Sequence, residues 1–278
     1  MKQEDDMEQV GGTDAIVADT SLGASRRQLL TGGIVAGLAA AGAAASVPTA
    51  AYSATVDDIP ELAPQWKKLN LAEILKLPAA YISISQSKSL YDAGGAQSAE
   101  KHRERGSLGA TIKVVDAARK AKNFISFNWV GYSIFRQHYP QSIFDKVQYE
   151  TWIDGLNWSS EKIAWDDEIV EELQAKFQSG DNHLFEKALQ TAFVGTDLPL
   201  ELARKRVQVI VLTGIHLDWC IEGNARAARD YGYLPIVIGD ATATQKPEQA
   251  KAAFERINNF FAPVISADTF VRLLAQPA

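Results

Sequence analysis

Cys220, the only cysteine of the chain, stands where a strand gives way to a helix, a position from which a thiol can act as a nucleophile. The run Val207 to Leu212 is apolar and largely β-branched on both faces, as a parallel strand covered by helices above and below should be. Gly214 ends it. Ile221, Ala225, Ala228 and Tyr231 then recur near helical spacing until Gly232, and Leu234 to Ile238 reads as the next strand. Unpaired N–H groups and the positive end of the dipole at a helix start lower a thiol's pKa from about 8.5, and the same N–H groups can hold an oxyanion. Open α/β sheets also place ligands beyond the carboxyl ends of their strands. A lone cysteine is equally the usual inert filler of a core, and residue type alone does not separate the two readings. His216 carries the same ambiguity: imidazole titrates near neutrality and can pass protons to Cys220, or it is a bulky pocket residue.

Two longer stretches sharpen this. Thr213-Gly214-Ile215-His216-Leu217-Asp218-Trp219-Cys220-Ile221, followed by Asn224-Ala225-Arg226-Ala227-Ala228 and Gly232-Tyr233, resembles the nucleophile segment of the isochorismatase-like cysteine hydrolases, T-G-x-x-T-D-x-C-V with T-A-R-x-A and G-Y. Upstream, Lys187 to Leu198 resembles that family's K-x-x-x-S-A-F-x-G-T-x-L. The likeness covers roughly Leu77 to Leu274 and is strongest in its second half. It implies a three-layer α/β fold and an attack by Cys220 on a carbonyl or related carbon. It also implies that Lys187 places a cation beside the thiolate, and that the turn at Leu217 and Asp218, with the Cys220 N–H, faces the developing oxyanion. Asp218 itself matches a family position that is not the catalytic acid and reads as a structural carboxylate holding the turn.

The family's first strand ends in I-D-x-Q, with an aspartate that handles protons, and here the chain departs from it with Ser83-Ile84-Ser85-Gln86. Alignment on Gln86 puts Ile84 at the acid position; a shift of one residue offers Ser83 or Ser85, neither of which is a carboxylate base. Asp92 and Glu222 are nearby substitutes with no spacing argument behind them. His216-Leu217 also replaces the family's small residue and threonine. Metal-binding members of the wider family carry an aspartate and two histidines near the second strand. Asn128-Trp129-Val130 offers no such set, and His102, His138 and His183 lack ligand spacing, so no metal and no cofactor are expected.

The elements that must position these groups follow from pattern. Ala79 to Ser85 and Asn123 to Trp129 read as the first two strands, and Leu108 to Lys120 between them has the spacing and basic last turn of a crossover helix. Asp166 to Phe177 reads as an acidic, solvated helix, Pro199 to Arg206 as the end of another, and Pro247 to Phe261 as an amphipathic one. Val264 to Ser266 is a short last strand and Ala267 to Leu274 a closing helix. Tyr132 to Asn157 is dense in aromatics without clean periodicity and reads either as a lid or oligomer contact or as a pocket wall. Trp129, Tyr132, Phe135, Phe193 and Trp219 are the expected pocket residues. The order of elements predicts a doubly wound, mostly parallel sheet with helices on both faces over residues 78–278, after a lead-in at 55–77.

Composition bounds the function. The chain has 278 residues, 46% hydrophobic and 22% charged, with a net charge of −6, which allows one α/β domain and argues against a nucleic-acid partner. Residues 1–54 read as an acidic leader followed by Ser25-Arg26-Arg27-Gln28-Leu29-Leu30 and an Ala/Gly-rich run, the pattern of a twin-arginine (Tat) export signal cleaved between about Ala45 and Ala54. The alternative is an uncleaved anchor, which the weak hydrophobicity of the run disfavours. The resemblance, joined to the export pattern, implies an exported, homo-oligomeric cysteine hydrolase cleaving an amide-type C–N bond of a small molecule. The alternative is a degenerate relative that binds a small molecule or a protein. Ether cleavage of the isochorismatase type is disfavoured because it leans on the missing acid.

Overall fold

The computed structural model describes residues 52–53, 58–98, 102–135, 143–187 and 189–276; the expected signal segment, Tyr52 and Ser53 apart, and His138 lie outside them. Among the described residues one sheet contains seven strands: β1 (Tyr52–Ser53), β2 (Ala79–Ile84), β3 (Phe124–Tyr132), β4 (Asn182–Lys187), β5 (Val209–Ile215), β6 (Leu234–Thr244) and β7 (Val264–Ile265). Their order is β1-β6-β5-β2-β3-β4, with β7 also on β6, and every pairing is parallel except that of β1. From β2 the chain builds outward through β3 and β4, then returns to add β5 on the other side of β2. The two strands flanking this reversal, β2 and β5, are buried at every residue, which is why their sequences lack a polar face.

Alternation along the strands feeds two cores. Tyr81, Val209, Val211 and Ile236 pack on one face against Val114, Val115 and Ala118 of α1 (Ser107–Lys120) and Phe270 of the C-terminal helix, Ala267–Leu274. Ala80, Ile82, Ile210, Leu212 and Val237 pack on the other against Leu198 and Leu202 of the helix Leu198–Arg204, Ala225 and Ala228 of Glu222–Asp230, and Phe254 of Pro247–Arg256. Each large aliphatic side chain so buried contributes about 1.5–3 kcal/mol. With Cys220 a free thiol, these layers and not a crosslink hold the domain.

In chain order the remaining helices used below are α2 (Ile143–Ile153), α3 (Ser160–Asp167), α4 (Leu198–Arg204), α5 (Glu222–Asp230), α6 (Pro247–Arg256) and α7 (Ala267–Leu274). The expected helix from Asp166 to Phe177 does not exist as one element: α3 ends at Asp167, and Ile169 forms a bridge with Ser87 before a short turn at Glu171–Gln174. Nor is it a solvated face throughout, because Asp166 is buried and its Oδ1 accepts from Ala96 N at 2.8 Å. The aromatic-rich stretch contains α2, and β4 is a strand that hydropathy did not mark.

Candidate functional site

The carboxyl ends of four neighbouring strands meet at one cavity. Ser85 follows β2, Tyr132 ends β3, Lys187 ends β4 opposite Tyr132, and His216 follows β5. This is the crevice beside the chain reversal, where a doubly wound sheet leaves room for a ligand. Gly214 lets β5 approach β2: its φ is +126°, and a Cβ there would lie 2.0 Å from Ile84 O. The Ile215–His216 peptide is cis.

Cys220 sits within a π-helical turn, Leu217–Ile221, that leads directly into α5. Leu217 is buried in the core, and Asp218 Oδ1 accepts from Thr244 Oγ1 at 2.5 Å, so this carboxylate ties the turn to the end of β6. From below, Asn224 Nδ2 donates to Cys220 O at 2.7 Å and to Gln190 O at 3.1 Å, while its Oδ1 accepts from Ala192 N at 3.0 Å. One carboxamide therefore joins the cysteine turn to the segment that follows β4.

Lys187 is 1% exposed, and its Nζ lies 3.5 Å from Cys220 Sγ. The same nitrogen donates to Leu189 O at 2.7 Å and lies 4.4 Å from the centre of the Tyr132 ring. Burial pushes the Lys187 ammonium below its ordinary value, and the charge and hydrogen bond of Cys220 oppose that shift. A buried amine that gives up its proton readily, in contact with a thiol, can take and return a proton at that sulfur.

A small cavity lies beside the pair. Its walls combine apolar surface from Leu90, Leu189, Ile215 and Trp219 with polar groups from Ser85, Gln97, Gln190 and His216. Among the described residues that line it there is no carboxylate. Nor, among the described residues, is any cluster of three or more His, Cys, Asp or Glu placed to hold a metal ion.

Of the residues expected at the site, Cys220, Lys187, His216, Tyr132 and Trp219 come together. Trp129 does not: it is fully buried on the opposite face, packed on Tyr81 and donating from Nε1 to Asp181 Oδ2 at 2.7 Å. Phe193 lies in the core against Tyr231 and Tyr233, and Phe135 stacks on Trp158 with ring centroids 5.3 Å apart. Strand parity sends Trp129 away, and helix packing claims Phe193. At the end of β2, Ile84 points into the core and Ser85 lines the cavity, so the one-residue shift, not alignment on Gln86, describes what faces Cys220. Neither carboxylate considered as a substitute reaches the cavity. Asp92 pairs with Arg103, and Glu222 accepts from Arg226 and Arg256. Gln97, Gln190 and Leu90 were not expected there; the two glutamines stand on irregular segments and Leu90 on the four-residue helix Lys88–Tyr91, too short for periodicity to read.

Known proteins are similar to this chain in sequence or in fold. The family model described as the Isochorismatase domain matches residues 80–269. YwoC, an uncharacterized isochorismatase family protein of Bacillus subtilis, is 34% identical over 145 residues, which is 52% of this chain and 71% of that protein. The ureidoacrylate amidohydrolase RutB of Yersinia enterocolitica is 34% identical over 118 residues, 42% of this chain and 50% of that one; the matched stretch spans about half the length of this relative. The crystal structure of a cysteine hydrolase from Pseudomonas syringae pv. phaseolicola is similar in fold, with a TM-score of 0.59 over 72% of this chain and 93% of that one at 19% identity. On the family match and on the geometry that the matched residues build, the chain belongs to the isochorismatase family.

Proposed function

We propose that the protein is a cysteine hydrolase that opens an amide-type C–N bond of a small molecule through a thioester on Cys220. The observation that carries this is the Lys187 Nζ to Cys220 Sγ contact of 3.5 Å, with both groups buried beside a cavity. Lys187 takes the thiol proton and the thiolate attacks the carbonyl carbon, forming a C–S bond and an oxyanion. As the tetrahedral centre collapses, the C–N bond breaks and Lys187 returns the proton to the departing nitrogen. Water then attacks the thioester while Lys187 removes its proton, and cleavage of the C–S bond releases the acid and restores the starting pair. N–H groups at the head of the Leu217–Ile221 turn face the oxyanion in this reading, a contribution of about 3–4 kcal/mol where it is present.

Support comes also from relatives, since RutB is named an amidohydrolase that acts on ureidoacrylate. The test is turnover of a panel of small primary amides and ureido acids that includes ureidoacrylate. Release of ammonia or amine by the native protein and not by Cys220→Ser, with an acyl adduct on Cys220 trapped by acid quench, is the expected result. No release and no adduct across the panel overturns it. The second reading, a binding module that retains the pocket without turnover, is favoured by the cavity lining, in which the described residues include no carboxylate; binding of panel members without adduct or release would support it. Export through the twin-arginine machinery and assembly into a homo-oligomer remain part of the proposal, the first supported by Arg26-Arg27 and the apolar run after them.

A further inference from the structure

Ser85 is used by the fold in a way that leaves its hydroxyl over. Its backbone N–H donates to Val130 O at 2.8 Å, which ties the end of β2 to β3. The residue is 2% exposed, its Oγ has no hydrogen-bond partner, and it lines the cavity that contains Cys220 and Lys187. Its φ is +52°, a left-handed conformation that an L-residue with a side chain occupies at a cost. Glycine would relieve that conformation, and alanine would remove the orphaned hydroxyl. The chain instead keeps a residue that bears both penalties, at the end of β2 and in the wall of the cavity that also contains Cys220.

We propose that the Ser85 hydroxyl is a ligand-binding group, donating a hydrogen bond to a carbonyl-type acceptor on a small acyl compound held against Cys220. A hydroxyl cannot replace a carboxylate as a proton carrier at neutral pH, so its part is to hold and orient the acceptor. The surrounding wall fits this division of labour. Gln97 and Gln190 add neutral amides, Lys187 is the ammonium group, and the described lining offers no carboxylate that would draw a cationic ligand. The class selected is therefore a small, uncharged or anionic acyl compound with an acceptor one or two bonds from the carbon that meets the sulfur. This rests on Cys220 being the nucleophile of the site.

Alkylating reagents supply a probe that needs no knowledge of the natural substrate. Iodoacetamide carries a carbonyl next to the carbon attacked by sulfur, and iodomethane carries none. Rates with Cys220 are measured for the native protein, Ser85→Ala and Ser85→Gly, each normalised to the rate with free cysteine. Loss of one neutral hydrogen bond predicts a fall of about three- to tenfold for iodoacetamide in both variants, with the iodomethane rate unchanged within about twofold. Ser85→Gly is expected to melt no lower than the native protein, since glycine accepts the backbone conformation, so the readout survives even if Ser85→Ala folds poorly. Rates that fall together for both reagents, or that fall for neither, overturn the proposal. The ammonia-release panel is read separately: a selective fall without turnover leaves Ser85 as a binding group and rejects the hydrolase reading alone.

Discussion

The carboxamide nitrogen of Asn224 donates to the carbonyl of Cys220 at 2.7 Å, from one turn further along the chain. With a second bond from that nitrogen to Gln190 O, and with Oδ1 accepting from Ala192 N, Asn224 fixes the height of the cysteine turn relative to the segment after Lys187. Positioning of the sulfur and of the amine that faces it is thus a single hydrogen-bonded unit.

Asn224→Ala removes three hydrogen bonds at once, two of them buried and one partly buried. At about 1 kcal/mol each the expected loss is about 3 kcal/mol of stability, measured by denaturant unfolding. Iodoacetamide labelling of Cys220 in the folded variant is expected to slow as well, because the Lys187 contact loosens. Unchanged stability and unchanged labelling would remove Asn224 from the site.

Gly214→Ala tests the approach of β5 to β2. A Cβ at 2.0 Å from Ile84 O cannot be absorbed by a side-chain shift, since the obstacle is backbone, and φ of +126° is closed to alanine. A loss of more than about 2 kcal/mol is expected, read as a lower denaturant midpoint or as failure to fold. Retained stability would mean the strands separate more easily than their register implies.

Glu222 gives an acid-limb prediction. Burial raises its carboxyl, but Arg256 and Arg226 outweigh that and hold it below its ordinary 4.5. A folded value lower than the unfolded one means stability that is complete above pH 4.5 and lost as pH falls through the folded value. Because Arg226 lies on α5 and Arg256 on α6, this loss loosens the helix pair that backs the cysteine turn. Glu222→Gln is expected to be less stable than the native protein at pH 7 and to show a flatter stability curve below pH 4.5; parallel curves would contradict the assignment.

The strongly patterned parts of this architecture are visible in the chain. Val207 to Leu212 reads as a parallel strand covered on both faces and Ala79 to Ser85 as the first strand because both runs are largely apolar, and both are central, each displaced by only a few residues from the observed β5 and β2. The edge strand β4 is not visible. Asn182-His183-Leu184-Phe185 neither alternates cleanly nor runs apolar, and its pairing to β3 is supplied by tertiary contact. The break between Asp167 and Glu171 is hidden for a similar reason, since the bridge from Ile169 to Ser87 is long-range. At the site, Cys220 and Lys187 were readable from motif, whereas aromatics near the motifs were assigned to the pocket without knowledge of which face they take. Ser85 was weighed only as a failed acid. Its left-handed backbone, which turns it to the cavity after the all-buried run of β2, has no signature in residue type.

The central claim is that Lys187 carries the proton of Cys220, and the most direct test is the iodoacetamide labelling rate of Cys220 at pH 7 in the native protein and in Lys187→Met. Methionine fills the buried space without an ionisable group, and removing a desolvated amine is expected to leave the fold intact or more stable. If the amine serves the sulfur, labelling of the folded variant falls by about tenfold or more. Equal rates in the two proteins would contradict the account, because a thiol that loses the amine in contact with it without consequence was not being activated by it.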